Sequence, residues 1–195
     1  MNQIFGNFTE KTVSKDDLTI NFSPSSIPLN ERWQSNGLSA DFIAGYVTTF
    51  LFRRTHDATS MHKRVEVKSA TSYITNELLE NAMKYCHFKS ELPITLNLQL
   101  GKNSVRFFVT NSLSPLRAAN FQALIYQISH SNPQELYLNQ LEKCAEDGNG
   151  LISGLGFLTM INDYSANLAW KFETYPDKPQ EIVVTTMVEL NIANG

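Results

Sequence analysis

Apolar and polar residues alternate along several short segments of the chain. Leu18, Ile20 and Phe22 are separated by polar residues, which is the two-residue period of a strand with one buried face. The same period predicts strands over residues 92–100, 105–109, 167–174 and 181–192, and residues 1–16 could add a short strand or hairpin. The turn residues 101–103 join two of these segments as a hairpin.

Apolar residues at helical spacing predict the helices. The strongest pattern covers residues 69–86, and a second begins at Ser39, a candidate N-cap, after a loop over residues 33–37. Two amphipathic segments over 116–129 and 134–145 and a short helix over 157–163 follow the first hairpin.

This order of elements predicts the fold class. Antiparallel strand pairs and clustered helices are typical of an α+β fold, here a two-layer α/β sandwich. We expect a mixed, mostly antiparallel sheet with helices on one face. The length of 195 residues fits a single domain over 1–195, with residues 1–38 as an N-terminal strand and loop extension.

Composition and charge narrow the function classes. The chain carries 16 Lys and Arg against 19 Asp and Glu, a net charge of −3, and 42% of its residues are apolar. This excludes intrinsic disorder and argues against nucleic acid or a membrane surface as a partner. The N-terminus lacks the layout of a signal peptide, and the apolar window over 42–52 is shorter than the roughly 20 residues that span a bilayer. We therefore expect a soluble cytoplasmic protein.

Three polar residues of the strongest helix are candidates for chemistry. Glu77, Asn81 and Lys84 follow one another at helical spacing and so share a face. An amide oxygen can ligate Mg²⁺, and a carboxylate can accept a proton from a hydroxyl that attacks a phosphate. A solvated helix face explains the same spacing, and on spacing alone it is the better explanation.

A second candidate is the sequence Gly154-Leu155-Gly156 before the predicted helix 157–163. Glycines at a helix start let backbone N–H groups approach a phosphate, and the helix dipole favours the anion. Such a sequence is just as often a simple turn into a helix.

Together these motifs resemble the GHKL ATPase superfamily, which includes gyrase-type ATPases and histidine kinases. The segment 76–82, Asn-Glu-Leu-Leu-Glu-Asn-Ala, followed by Lys84, resembles its N-box, and Gly154-Leu155-Gly156-Phe157 resembles its second glycine box. The Glu77–Asn81 pairing is most similar to that of the anti-sigma-factor serine kinases and the SiaB-like bacterial protein kinases. The resemblance implies the Bergerat, or histidine-kinase-like ATPase, fold from about residue 40 to the C-terminus.

The resemblance also implies a role for each matching residue. Asn81 would bind the nucleotide and hold Mg²⁺, Glu77 would be the general base, and Lys84 would lie near the phosphates of ATP or ADP. Gly154, Leu155 and Gly156 would form the turn around the phosphates.

The chain departs from the family at the first glycine box. Asn111 stands where the family has the Asp that contacts adenine, and both glycines are missing. Because an amide both donates and accepts hydrogen bonds, selectivity for adenine stays open. By the same resemblance, residues 112–150 would form a helical replacement of the ATP lid. The DxGxG-like string at 147–150 is more typical of a helix C-cap turn at Gly148.

Three functions remain open. The first is a switch kinase that uses Mg-ATP to phosphorylate Ser or Thr on a small partner protein of a partner-switching or response-regulator pathway. The second is a non-catalytic sensory module that binds ADP or FAD. Its flavin ring would pack on aromatic residues, namely Phe121, Tyr126, Tyr137, Phe157 and Trp170. The third is a protein-binding regulator that uses the basic segment 53–68 or the helical insert. The superfamily's habit of dimerising favours a homodimer.

Overall fold

A six-stranded antiparallel sheet carries the helices of this protein. The computed structural model describes residues 2–11, 17–23, 29–53, 58–87, 90–147, 154–174 and 180–192. The strands are β1 (Asn2–Phe5), β2 (Asp17–Phe22), β3 (Ile94–Leu100), β4 (Ser104–Leu113), β5 (Asn167–Thr174) and β6 (Ile182–Asn191). The helices are α1 (Leu29–Leu51), α2 (Ala58–Tyr85), α3 (Pro115–His130), α4 (Pro133–Asp147) and α5 (Leu155–Tyr164).

The strand order is β1-β5-β6-β4-β3-β2, and each of these neighbouring pairs is antiparallel. The predicted α+β class is confirmed, but the expectation of a mixed sheet is wrong for the described strands. The α1–α2 hairpin returns the chain to the end of the sheet where β2 stops, so Ile94 pairs with Phe22 and β3 runs back along β2. The other sequential pairs are hairpins, which are antiparallel by construction.

The two faces of the sheet are covered differently. Odd-numbered residues of β4, such as Val105, Phe107 and Val109, join the main hydrophobic core under the helices. The opposite face carries Phe108, which packs with two buried neighbours and with Phe8 of the N-terminal segment. Helices therefore cover one face, as the alternation in the sequence predicts.

Helix α1 begins ten residues before the predicted N-cap at Ser39. The loop expected over 33–37 is helical, and residues 29–38 belong to α1 rather than to a strand and loop extension. Asn36 is only 3% exposed and lies at helical spacing with Ala40, Ile43 and Val47, which are buried towards α2. Packing against α2 stabilises a helical segment that includes Gly37, a residue of low helix propensity.

Helix α2 begins at residue 58, eleven residues before the predicted start at 69. Its first turns are polar and have no apolar period, so the sequence pattern did not indicate them. The predicted helices over 116–129 and 134–145 are confirmed as α3 and α4, and the predicted turn at Gly148 lies outside the described residues. None of the helices in the described ranges has the length and apolarity that a bilayer crossing requires.

The burial of α2 in the core supports a stability prediction. Leu79 is 0% exposed in the core, whereas Leu138 on α4 is 58% exposed. We expect Leu79→Ala to lower the free energy of unfolding by about 2–5 kcal/mol, because it leaves a cavity. The matched substitution Leu138→Ala should change it by less than about 0.5 kcal/mol. Urea unfolding of both variants checks this, and equal losses would contradict the packing described.

Candidate functional site

A cavity of about 440 Å³ lies between the sheet, α2, α3 and the start of α5. Its walls combine apolar side chains with a few polar ones, which is typical of ligand sites. The lining residues from α2 are Leu78, Asn81, Ala82, Lys84 and Tyr85; those from α3 are Arg117, Asn120, Phe121 and Leu124. The sheet supplies Val109, Asn111, Leu113, Val184 and Thr186, and the start of α5 supplies Gly154 and Phe157.

The floor of the cavity is apolar except for two residues. Asn111 lies in the same alternating row of β4 as Val109 and Leu113, and Thr186 lies in the row of β6 that contains Val184. Val109 pairs with Thr186 and Asn111 pairs with Val184, so the two polar residues are diagonal neighbours on one face. A ligand on this floor would meet one amide and one hydroxyl among aliphatic side chains.

A hydrogen bond fixes the orientation of the Asn111 amide. Its Nδ2 donates to the main-chain oxygen of Ser112 at 3.3 Å. Because a carbonyl oxygen can only accept, this bond commits the nitrogen end of the side chain to the backbone. The oxygen Oδ1 and the second N–H of Nδ2 then remain for a ligand. Through Oδ1 the amide can present an acceptor, as a carboxylate does.

Helix α2 forms one wall of the cavity. Leu78, Asn81, Ala82 and Tyr85 are spaced by three or four residues and so face the same side. Lys84 lies at the exposed rim, where its Nζ is 5.3 Å from the centroid of the Tyr85 ring. Asn81 is thus the polar group that α2 adds to the wall, and Lys84 adds a positive charge at the mouth.

Helix α3 forms the opposite wall and is tied to the end of α2. Arg117 Nη1 donates to the main-chain oxygens of Tyr85 at 3.0 Å and of Cys86 at 2.8 Å. These carbonyls at the C-terminus of α2 would otherwise lack helical partners. Arg117 therefore joins the two walls.

Aromatic residues close one end of the cavity. Phe121 stacks on Phe157 with ring centroids 5.9 Å apart, and Trp170 lies edge-on to both rings. Both phenylalanines line the cavity, whereas Trp170 is 2% exposed and belongs to the core. The expectation that Tyr126 packs a flavin ring is wrong, because its side chain is exposed to solvent and stacks on His130.

The start of α5 requires glycine at residue 154. Gly154 has φ of 99°, in the left-handed region, and a Cβ there would lie 2.9 Å from Leu124 Cδ1. Its own carbonyl accepts the helical bond from Leu158 N at 3.1 Å. The N–H groups of Leu155, Gly156 and Phe157 precede that bond and have no acceptor within the helix, and N–H groups in this position favour an anion.

Glu77 lies beside the cavity rather than on its wall. Its carboxylate packs against Gly156, where an added Cβ would collide with Oε2 and lie 3.0 Å from Cδ. Burial, together with the charge of Glu80, raises the pKa of Glu77, and Lys84 partly opposes this. The carboxyl group therefore holds its proton more tightly than an exposed glutamate does.

The structure thus brings together most of the residues singled out in the sequence. Asn81, Lys84, Asn111 and Gly154 line one cavity, and Glu77 and Gly156 touch each other at its end. Leu155, in the first turn of α5, is half-buried and does not line the cavity.

Arg117, Asn120 and Thr186 also line the cavity, and they were not among the residues that the sequence motifs indicate. The alternation of β6 could have placed Thr186 on the helix-bearing face. No local pattern indicates that α3 turns Arg117 and Asn120 towards α2.

The raised pKa of Glu77 predicts a pH-dependent stability effect. Between its ordinary and its raised pKa the folded protein binds more protons than the unfolded chain, so stability is lost as pH rises through this window. Glu77→Gln removes the charge, and it should raise the urea midpoint at about pH 7 and have little effect at about pH 4.

The exposed Glu91, in the segment before β3, provides a matched control. Glu91→Gln should leave the midpoint nearly unchanged at both pH values. An equal effect of Glu77→Gln at both pH values would contradict the burial of a charged carboxylate.

Comparisons with known proteins relate this fold to a solved structure. No protein-family model matches the chain, and neither does any curated protein sequence. The chain is similar to a chain of the crystal structure of the SiaB–SiaC complex from Pseudomonas aeruginosa, with a TM-score of 0.53 and 14% sequence identity. The similarity covers 89% of each chain. At this identity the likeness shows a shared fold.

Proposed function

We propose that the cavity binds Mg-ATP and that the protein is a switch kinase that phosphorylates Ser or Thr on a small partner protein. The observation that carries this proposal is the convergence of three distant segments on one cavity. Asn81 of α2, Asn111 of β4 and Gly154 before α5 all line it. The GHKL resemblance assigns Asn81 to the metal, Asn111 to the adenine ring and Gly154 to the phosphates.

The chemistry of each group fits this ligand. The acceptor Oδ1 of Asn111 suits the exocyclic amino group of adenine, and the aliphatic floor suits its ring. The first N–H groups of α5 and the Lys84 charge suit the phosphates. The Asn81 amide oxygen is a hard ligand that suits Mg²⁺, which would neutralise charge on the phosphates.

Glu77 is the proposed general base. The hydroxyl oxygen of the acceptor would attack the γ-phosphorus and form the new P–O bond. The bond from that phosphorus to the β,γ-bridging oxygen would break, and ADP would leave. The hydroxyl proton would pass to the Glu77 carboxylate, whose raised pKa makes it a better proton acceptor than an exposed glutamate.

The partner protein and a homodimer remain proposals. The similar chain comes from a complex of two proteins, SiaB and SiaC, which favours a protein partner for this chain as well. The α1–α2 hairpin also exposes large apolar side chains, namely Leu38, Phe42, Met61 and Val65. Single exposed apolar residues are ordinary, but several on one hairpin favour a protein contact. Light scattering on the purified protein checks the homodimer.

Substitutions at Glu77 and Asn81 test the kinase proposal. Glu77→Ala should reduce nucleotide turnover by about 10²-fold or more but leave Mg-ATP binding intact, because it removes only the base. Asn81→Ala should weaken binding in the presence of Mg²⁺ and have a smaller effect without it. Calorimetry and a phosphotransfer assay measure the two properties.

The exposed turn residue Asn103 gives a matched control, since Asn103→Ala should leave both properties unchanged. Full turnover by the Glu77 variant would contradict the mechanism. A wild-type protein that binds no ATP at millimolar Mg²⁺ would end the proposal.

A non-catalytic module that binds ADP or FAD is the second candidate. The observation that favours it is the stacked pair Phe121–Phe157 at the end of the cavity, where a flavin ring could pack. The pure protein should then absorb at about 450 nm and release an adenine-containing compound on denaturation. A colourless protein that releases no such compound would contradict this function.

A further inference from the structure

The side chain of Glu77 lies along the backbone of Gly156. A Cβ added to Gly156 would collide with Oε2, and would lie 3.0 Å from Cδ and 3.4 Å from Cγ of Glu77. The outer part of the glutamate therefore occupies the space that a side chain at residue 156 would need. The backbone conformation at residue 156 does not require a glycine, because its φ is not in the left-handed region.

A second contact holds the same two helices together one turn away. Tyr73 lies four residues before Glu77 on α2, and its hydroxyl interacts with the Thr159 side chain of α5, which partly offsets the rise that burial causes in the pKa of Tyr73. The Tyr73 ring also lies against Tyr164, with centroids 5.3 Å apart. Glu77 and Tyr73 thus form two successive contacts with α5, so the position of α5 constrains the position of the carboxylate.

We propose that Gly156 is a positioning residue for Glu77: the missing side chain is the space that holds the carboxylate at the start of α5. The inference depends on the proposed function only because that function makes Glu77 the general base. The contact between Glu77 and Gly156 is given by the structure.

The two glycines of the Gly-Leu-Gly sequence then have different roles. Gly154 is required by its left-handed backbone and by the contact with Leu124. At Gly156 the missing side chain leaves the space that Glu77 occupies. The carboxylate at the start of α5 lies next to the N–H groups that would hold the phosphates, and one helical turn from Asn81. A base in this place can reach a hydroxyl beside the terminal phosphate.

The groups around Glu77 set the electrostatics of this contact. Glu80 and Lys84 act on it from its own helix, with opposite signs. The charge of Glu77 also acts on Tyr73, as do Tyr137 of α4 and Tyr164 of α5, and all three raise the pKa of Tyr73. If the carboxylate is pushed away from α5 into water, the burial that raises its pKa is lost.

A double-mutant cycle tests the contact without any nucleotide. Gly156→Ala should change the urea midpoint less favourably in the wild-type background than in a Glu77→Ala background, because in the wild type the new methyl group must first displace the carboxylate. In a Glu77→Ala background the same substitution should raise the midpoint, since alanine favours helix once the clash is removed. Gly45→Ala in α1 is the matched control: nothing lies within 4 Å of its added Cβ, so it should raise the midpoint in both backgrounds. An equal effect of Gly156→Ala in both backgrounds would overturn the proposal.

A phosphotransfer assay on the same variants tests whether the contact positions Glu77 for catalysis. Gly156→Ala should lower kcat by about 10²-fold, as expected for a misplaced base, and should affect the Kd for Mg-ATP much less, because alanine keeps the backbone N–H. The remaining activity should show its acid limb at lower pH, because the displaced carboxylate is solvated. Unchanged kcat together with a coupled cycle would refute the positioning role. A wild-type protein that binds no nucleotide would instead refute the proposed function. The double-mutant cycle would still test the contact between Glu77 and Gly156, because it needs no nucleotide.

Discussion

The packing of α2 across the sheet is the contact on which the site depends. Ile74, Leu78 and Ala82 recur at helical spacing, are almost fully buried, and belong to the same core as Leu96 and Val109 of the sheet. This apolar stripe fixes the rotation of α2 about its own axis. The neighbouring polar face of the helix is therefore turned to the edge of the core, where the cavity opens. Any change that rotated α2 would move the acid and the amide together.

Packing and hydrogen bonds restrict the orientations of the polar side chains that form the site. The Asn111 amide is held by the backbone of its own strand, and the Glu77 carboxylate by a glycine of another helix. Arg117 joins the walls through the last carbonyls of α2. Such prior orientation lowers the entropy that a ligand must pay on binding. The packing of Glu77 also places its half-buried carboxylate beside the start of α5. Burial makes this carboxylate costly to ionise, whereas the helix start favours an anion.

The sequence predicted the elements whose signal is local. Alternation located β2 to β6, and the Gly-Leu-Gly sequence located the start of α5 within two residues. The start of α1 was missed because burial of Asn36 against α2, a tertiary effect, keeps the chain helical past Gly37. Asn81 and Gly154 could be chosen from their motifs, but Arg117 and Thr186 reach the cavity through the orientation of other elements. The contact between Glu77 and Gly156 joins residues far apart in the chain, so no spacing could indicate it.

A structure of the protein with Mg²⁺ and a non-hydrolysable ATP analogue tests the central claim most directly. The account predicts that the adenine ring lies on the floor of the cavity beside Asn111 and Thr186, and that the terminal phosphate lies at the start of α5. It also predicts the metal within reach of the Asn81 oxygen. A nucleotide bound on another surface, or bound here with its phosphates pointing away from α5, would contradict the account.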